Sequence, residues 1–98
     1  MIDGNVVEFI DGLYYGDERW FVYADIKYFI QGWHRVEEDS FTLVLEQIDP
    51  DPETPYCLWS DTKPFIKRRD VVDNFLQAKI FDGKAFWEIE HAIKWVDC

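Results

Sequence analysis

Cysteine, histidine and basic side chains are all scarce in this chain, and each shortage removes a class of explanation. Cys57 and Cys98 are the only cysteines. Two do not make a disulfide framework, and nothing in their spacing brings them within bridging distance. Free thiols in a reducing compartment are the expectation. No apolar run approaches the ~20 residues needed to span a bilayer. The start, Met1-Ile2-Asp3-Gly4, has neither a positive n-region nor an apolar h-region, so no secretory signal is expected and the chain reads as cytoplasmic.

Catalytic signatures are missing as well. The sequence contains no Gly-rich phosphate loop, no Cys-x-x-Cys pair, no His-Glu-x-x-His and no Gly-x-Ser-x-Gly. His34 and His91 are its only histidines. A metal needs three or four converging ligands, and the only local set is Glu88, His91 and Cys98, which reads better as a solvated helix face. Nucleophilic chemistry by Cys57 with His34 would require a tertiary juxtaposition that the sequence does not show. The expectation is therefore a protein with no catalytic residue, no metal ligand and no cofactor.

Ten Lys and Arg stand against twenty Asp and Glu, a net charge of −10. General binding to nucleic-acid phosphate or to an anionic membrane needs the opposite sign. The imbalance is concentrated: residues 1–61 hold fourteen acids and three bases, whereas residues 62–98 hold six acids and seven bases. What the chain has in abundance is apolar mass. Hydrophobic residues make up 48% and aromatics 18% of 98 residues, enough to fold as one domain, 1–98, and to exclude disorder.

Periodicity supplies the elements. Val6, Phe9, Ile10 and Leu13 form a helical stripe, with Asn5 placed to cap it and Gly16 to end it. Trp20–Ala24 and Lys27–Trp33 are dense in aromatic and β-branched residues and read as strands joined by a hairpin. Glu37-Glu38-Asp39-Ser40 is a polar turn. In the strand that follows, 41–48, Phe41, Leu43, Leu45 and Gln47 share one face and Thr42, Val44 and Glu46 the other. The proline-rich stretch Asp49–Pro55 is a loop, and Tyr56–Trp59 a short fourth strand. Helices are expected near 5–15, 70–79 and 83–92. Asp70-Val71-Val72-Asp73 resembles a capping box. Asp82 is placed as the cap of the last helix, with Phe81 and Phe86 as a hydrophobic staple and Phe86, Ile89 and Ile93 as its buried stripe. The competing reading there is a Phe-Asp-Gly-Lys hairpin, and Ile93–Val96 is either a last helical turn or a short strand. The fold class expected is α+β: a four-stranded antiparallel meander over 20–59, with flanking helices segregated to one face.

Two charged clusters stand out. Glu37, Glu38 and Asp39, with Asp49, Asp51 and Glu53, form the candidate partner-binding set, against the alternative of a solubilising surface. The two loops lie at opposite ends of strand 41–48, about 25 Å apart, so they frame a sheet edge and do not make one patch. Lys63, Lys67, Arg68 and Arg69 read as a solvated basic stretch. The aromatics read as core and cross-strand pairs, although five Trp exceed what a small core readily hides, and Trp, Tyr and Arg are the usual interface anchors.

Lys27-Tyr28-Phe29-Ile30-Gln31-Gly32-Trp33, Phe41-Thr42-Leu43-Val44-Leu45-Glu46-Gln47, Phe81-Asp82-Gly83-Lys84-Ala85-Phe86-Trp87-Glu88-Ile89-Glu90 and Trp95-Val96-Asp97 together resemble small bacterial immunity proteins. These are the partners of polymorphic toxins, including those of contact-dependent growth inhibition. The resemblance runs over most of the chain. It implies a cytoplasmic antitoxin that binds one toxin domain, often a basic nuclease, and blocks its active site. Such families vary most at the binding surface, so no site residue carries over and the quoted strings read as fold-keeping. A second reading is a small acidic regulator or nucleic-acid mimic that inhibits a DNA- or RNA-binding enzyme. An enzyme is a third, and would need a deep pocket holding His34 or His91 beside carboxylates. The oligomeric state of the free protein is open.

Overall fold

The structure, a computed structural model, describes residues 4–49 and 57–96. Helix α1 spans Val6–Leu13. Asn5 caps it as expected: its side-chain oxygen accepts from the amides of Val7 at 2.9 Å and Glu8 at 3.3 Å. Phe9 and Leu13 are fully buried, with Val6 and Ile10 packed at the core margin. The helix proper stops at Leu13, and Gly16, at φ +73°, turns the chain toward the sheet.

Strands β1 (Arg19–Tyr23), β2 (Ile26–Arg35), β3 (Ser40–Asp49) and β4 (Cys57–Pro64) form the expected antiparallel meander within an α+β fold. The strand count is corrected from four to five. Lys94–Val96 is a strand, β5, which pairs antiparallel with β1 and sets Trp95 opposite Phe21. The order across the sheet is β4-β3-β2-β1-β5. Strand β4 continues beyond Trp59 to Pro64; as an edge strand it tolerates polar residues and a terminal proline.

Helix α2 covers Arg68–Gln77, after a 3₁₀ turn at Phe65–Lys67. It starts two residues before the expected cap, so Asp70 lies in its first turn, and Lys67 at the cap position makes no side-chain bond. The last helix is shorter than expected. Phe81 and Lys84 exchange both backbone hydrogen bonds, each 3.1 Å, across Asp82 at φ 56° and Gly83 at φ 78°. Asp82 is therefore a hairpin-turn residue and not a cap, because positive φ at both central positions suits the mirror-image two-residue turn. Both readings of this segment are realised in part: the turn forms, and helix α3 (Phe86–Ile89) follows it, continued by a 3₁₀ turn over Glu90–Ala92. Glu88 supplies the capping bond, accepting from the Ala85 amide at 2.7 Å.

The helices lie on one face of the sheet. Phe21, Tyr28, Ile30, Phe41, Leu43 and Leu45 point toward them and are buried. Val71, Val72, Phe75 and Leu76 from α2, and Phe86 and Ile89 from α3, close the core with Phe81 and Ile93. Phe75 lies against both Phe81 and Phe86, at ring separations of 6.3 and 6.1 Å, and Phe86 stacks on Phe9 at 5.5 Å. Among the described residues no helix is long and apolar enough to cross a membrane.

Candidate functional site

The alternation that sends Phe21, Tyr28 and Leu43 into the core sends Trp20, Val22, Phe29, Gln31, Trp33, Thr42 and Val44 to the opposite face. Among the described residues no helix covers that face. Trp20 stacks on Phe29 with ring centroids 4.8 Å apart, and the Thr42 and Thr62 hydroxyls pair at 2.8 Å. Trp33 is 38% exposed. Trp59 and Trp95 pack against the core, whereas Trp87 is exposed on α3. The excess of tryptophan over core capacity is thus real, and part of it decorates the open sheet face.

The six acidic candidates are not gathered into one patch. Glu37, Glu38 and Asp39 form the exposed tip of the β2–β3 hairpin. Asp49 is exposed at the far end of β3, about 30 Å along the strand. Asp51 and Glu53 lie outside the described residues.

The hairpin tip is held from below. The Phe65 amide donates to the Asp39 carbonyl at 2.8 Å, and the Asp39 amide to the Val36 carbonyl at 3.2 Å. Asp39 Oδ1 sits 3.3 Å from His34 Nε2. The His34 ring stacks on Phe65 at 3.7 Å, and the Arg68 guanidinium lies 4.4 Å from the same ring while donating to the Phe65 carbonyl. The Asp39 carboxylate is thereby engaged in fixing the turn. Glu37 and Glu38 have no ion pair among the described residues, and Val36 beside them is 78% exposed. A shallow concavity of about 310 Å³ runs along Arg35–Glu38.

Two other clefts lie on the helical side. One, about 480 Å³, is lined by Asp11, Tyr14, Tyr15, Ile66, Arg68 and Arg69. It contains part of the basic stretch, which the fold divides: Lys63 belongs to β4, Lys67 to the 3₁₀ turn, and Arg68 and Arg69 to α2. The other, about 470 Å³, is lined by Tyr23, Ala24, Ile26, Tyr28, Gln47, Leu58, Ile80 and Asp82.

Neither His34 nor His91 lines any of these three hollows. Cys57 is in register with Glu46 and His34 with Phe41, so about 17 Å of β3 separates them and they form no nucleophile–base pair. Glu88 is engaged in the α3 cap, and Cys98 lies outside the described residues. No metal-binding cluster of three His, Cys, Asp or Glu side chains occurs among the described residues. What the hairpin tip and open face offer chemically is a rigid acidic projection beside exposed aromatic surface. Sequence reasoning missed the Trp20–Phe29 pair, although a two-residue turn at Ala24-Asp25 sets the two residues opposite each other. Comparison with protein-family models, with curated proteins and with solved structures found no match.

Proposed function

We propose that this chain is an immunity-type inhibitor that acts by binding in the cytoplasm: it docks on a basic, nuclease-type protein domain through the β2–β3 hairpin tip and the adjoining open sheet face. The observation that carries the reading is the pinned tip. Glu37 and Glu38 project from a turn whose base is fixed by His34, Asp39, Phe65 and Arg68. A charged turn that serves solubility alone needs no such anchoring. One that docks benefits from it, because pre-ordering removes part of the entropy cost of association. The excess of negative charge over the whole chain would steer a basic partner toward it. Trp33 and Val36 provide the apolar surface that steering alone lacks.

The test is a binding experiment with the protein encoded next to this gene. Glu37→Lys/Glu38→Lys should slow association roughly tenfold at low salt and reduce protection of growing cells. Asp49→Lys, at the far end of β3, should do much less. An unchanged rate for the double variant would make the tip a solubilising surface, and failure of any neighbouring gene product to bind would end the immunity reading.

A further inference from the structure

Two tight turns meet at the end of the sheet remote from the Glu37–Glu38 tip. The β1–β2 hairpin closes through Ala24 and Asp25, at φ 52° and 64°, and the Phe81–Lys84 turn closes through Asp82 and Gly83. Three of these four residues are non-glycine at positive φ. Backbone of that kind persists where its surroundings over-determine it, often beside a binding site. Ala24 and Asp82 both line the same cleft of about 470 Å³, a volume within the usual range for ligand sites of roughly 300–1,000 Å³.

The lining is chemically divided. Ala24, Ile26, Leu58 and Ile80 give apolar walls; Tyr23, Tyr28, Gln47 and Asp82 bring oxygens. The two phenol rings are held in place by Phe81, which lies edge-on to Tyr28 at 5.3 Å and to Tyr23 at 6.4 Å. Asp82 is the one charged lining residue among those described, and it has no ion pair there, although Lys79 and Lys84 flank it in sequence. Tyr28 is only 4% exposed. Burial, then Tyr23, then Asp82 hold its hydroxyl above the ordinary ionisation range, and among the described lining residues Asp82 is the one formal charge.

An anion would meet Asp82 with like charge. A neutral apolar group would use the apolar walls alone and leave Asp82, exposed at the rim, to solvent. A flexible aliphatic stem ending in a cation satisfies both halves: its methylenes lie along Ile26, Leu58 and Ile80, and its head pairs with Asp82 at the rim. We infer that this cleft receives a lysine or arginine side chain of a protein partner. The occupant rests on the basic-partner reading above, whereas the chemistry of the cleft stands on its own lining.

The experiment separates the two. Three blocked tripeptides, acetyl-Gly-X-Gly-amide with X lysine, arginine or norleucine, are titrated into the full chain and followed by methyl and aromatic NMR. The cationic peptides should shift the Ile26, Leu58 and Ile80 methyls and the Tyr28 ring saturably, at least fivefold more tightly than norleucine. Asp82→Asn, whose side chain tolerates positive φ and keeps the turn, should remove that preference. Norleucine binding as tightly as lysine, an unchanged preference in Asp82→Asn, or no shift with any peptide would each overturn the proposal. Against the partner, Asp82→Asn should raise the dissociation rate about tenfold. Selective peptide binding with no effect on the partner complex would overturn the assignment of the occupant, while failure of the Glu37/Glu38 variants alone would overturn only the reading of the tip.

Discussion

Gly16 and Gly32 touch backbone to backbone: the Gly32 amide donates to the Gly16 carbonyl at 3.2 Å. The segment that leaves α1 crosses β2 at the one core-facing position of that strand with no side chain, and this places α1 over the sheet. A Cβ on Gly16 would overlap the Gly32 carbonyl, and one on Gly32 would stand 2.7 Å from the Thr42 carbonyl oxygen. Gly16 also sits at φ +73°, where an L side chain is strained. Gly16→Ala and Gly32→Ala should each lower stability by about 2–4 kcal/mol in denaturant unfolding. Gly83→Ala, which meets nothing within 4 Å, should show only the smaller cost of its positive φ.

The α3 segment separates a packing residue from a capping one. Phe86 is fully buried and stacked on Phe9, so Phe86→Ala should cost on the order of 3–5 kcal/mol. Glu88 is exposed, and its structural contribution is the bond to the Ala85 amide. Glu88→Ala should therefore cost about 1 kcal/mol, and Glu88→Gln less. Melting curves of the three variants check the ranking.

The density of aromatic and β-branched residues made β1 and β2 legible, and two-residue alternation did the same for β3. The far half of β4 was hidden for the opposite reason. Ser60, Asp61, Thr62 and Lys63 are polar on both faces, which only an edge strand permits. Three residues of β5 are too few to show a period. Asp82 before Gly83 is a signal for a turn and for a helix cap alike, and only the exchange of bonds between Phe81 and Lys84 separates the two. The acidic set was legible as composition but not as a surface, since the strand between Glu38 and Asp49 holds them apart. The engagement of Asp39 by His34 and the contact of Gly16 with Gly32 depend on tertiary placement that no local pattern encodes.

Tyr28 makes stability fall with alkaline pH. Its hydroxyl ionises above the ordinary value of 10.0, chiefly because burial penalises the phenolate. Above that value the folded chain holds a proton that the unfolded chain has released, so the unfolded state binds fewer protons and stability declines as pH rises. Well below pH 10, where the phenol is protonated in both states, this group contributes no slope. Tyr28→Phe should lose stability less steeply than the parent chain as pH rises through and above 10. Absorbance titration of phenolate should show one tyrosine ionising above pH 10, and Tyr28→Phe should remove it.

Phe65 offers a test of anchoring as distinct from charge. Its ring carries the stack with His34 and the contact with Arg68, while its backbone amide holds the Asp39 carbonyl. Phe65→Ala keeps the amide and every carboxylate but removes the platform under the turn. Amide exchange at Glu37, Glu38 and Asp39 should quicken more than in the rest of the sheet, where the loss is limited to the contact of Phe65 with Phe41. In binding to a basic partner, the association rate should stay close to that of the parent, because steering acts over a Debye length of about 8 Å and the charge is intact. The dissociation rate should rise several-fold, because the bound state must now order a loosened turn. Glu37→Lys/Glu38→Lys should do the reverse, slowing association with little change in release. Stopped-flow measurements of both variants at two salt concentrations distinguish the effects. If Phe65→Ala slows association as much as charge reversal does, the turn is selected by its shape and not by its field; if exchange at the tip does not change, His34 and Phe65 are not what holds it.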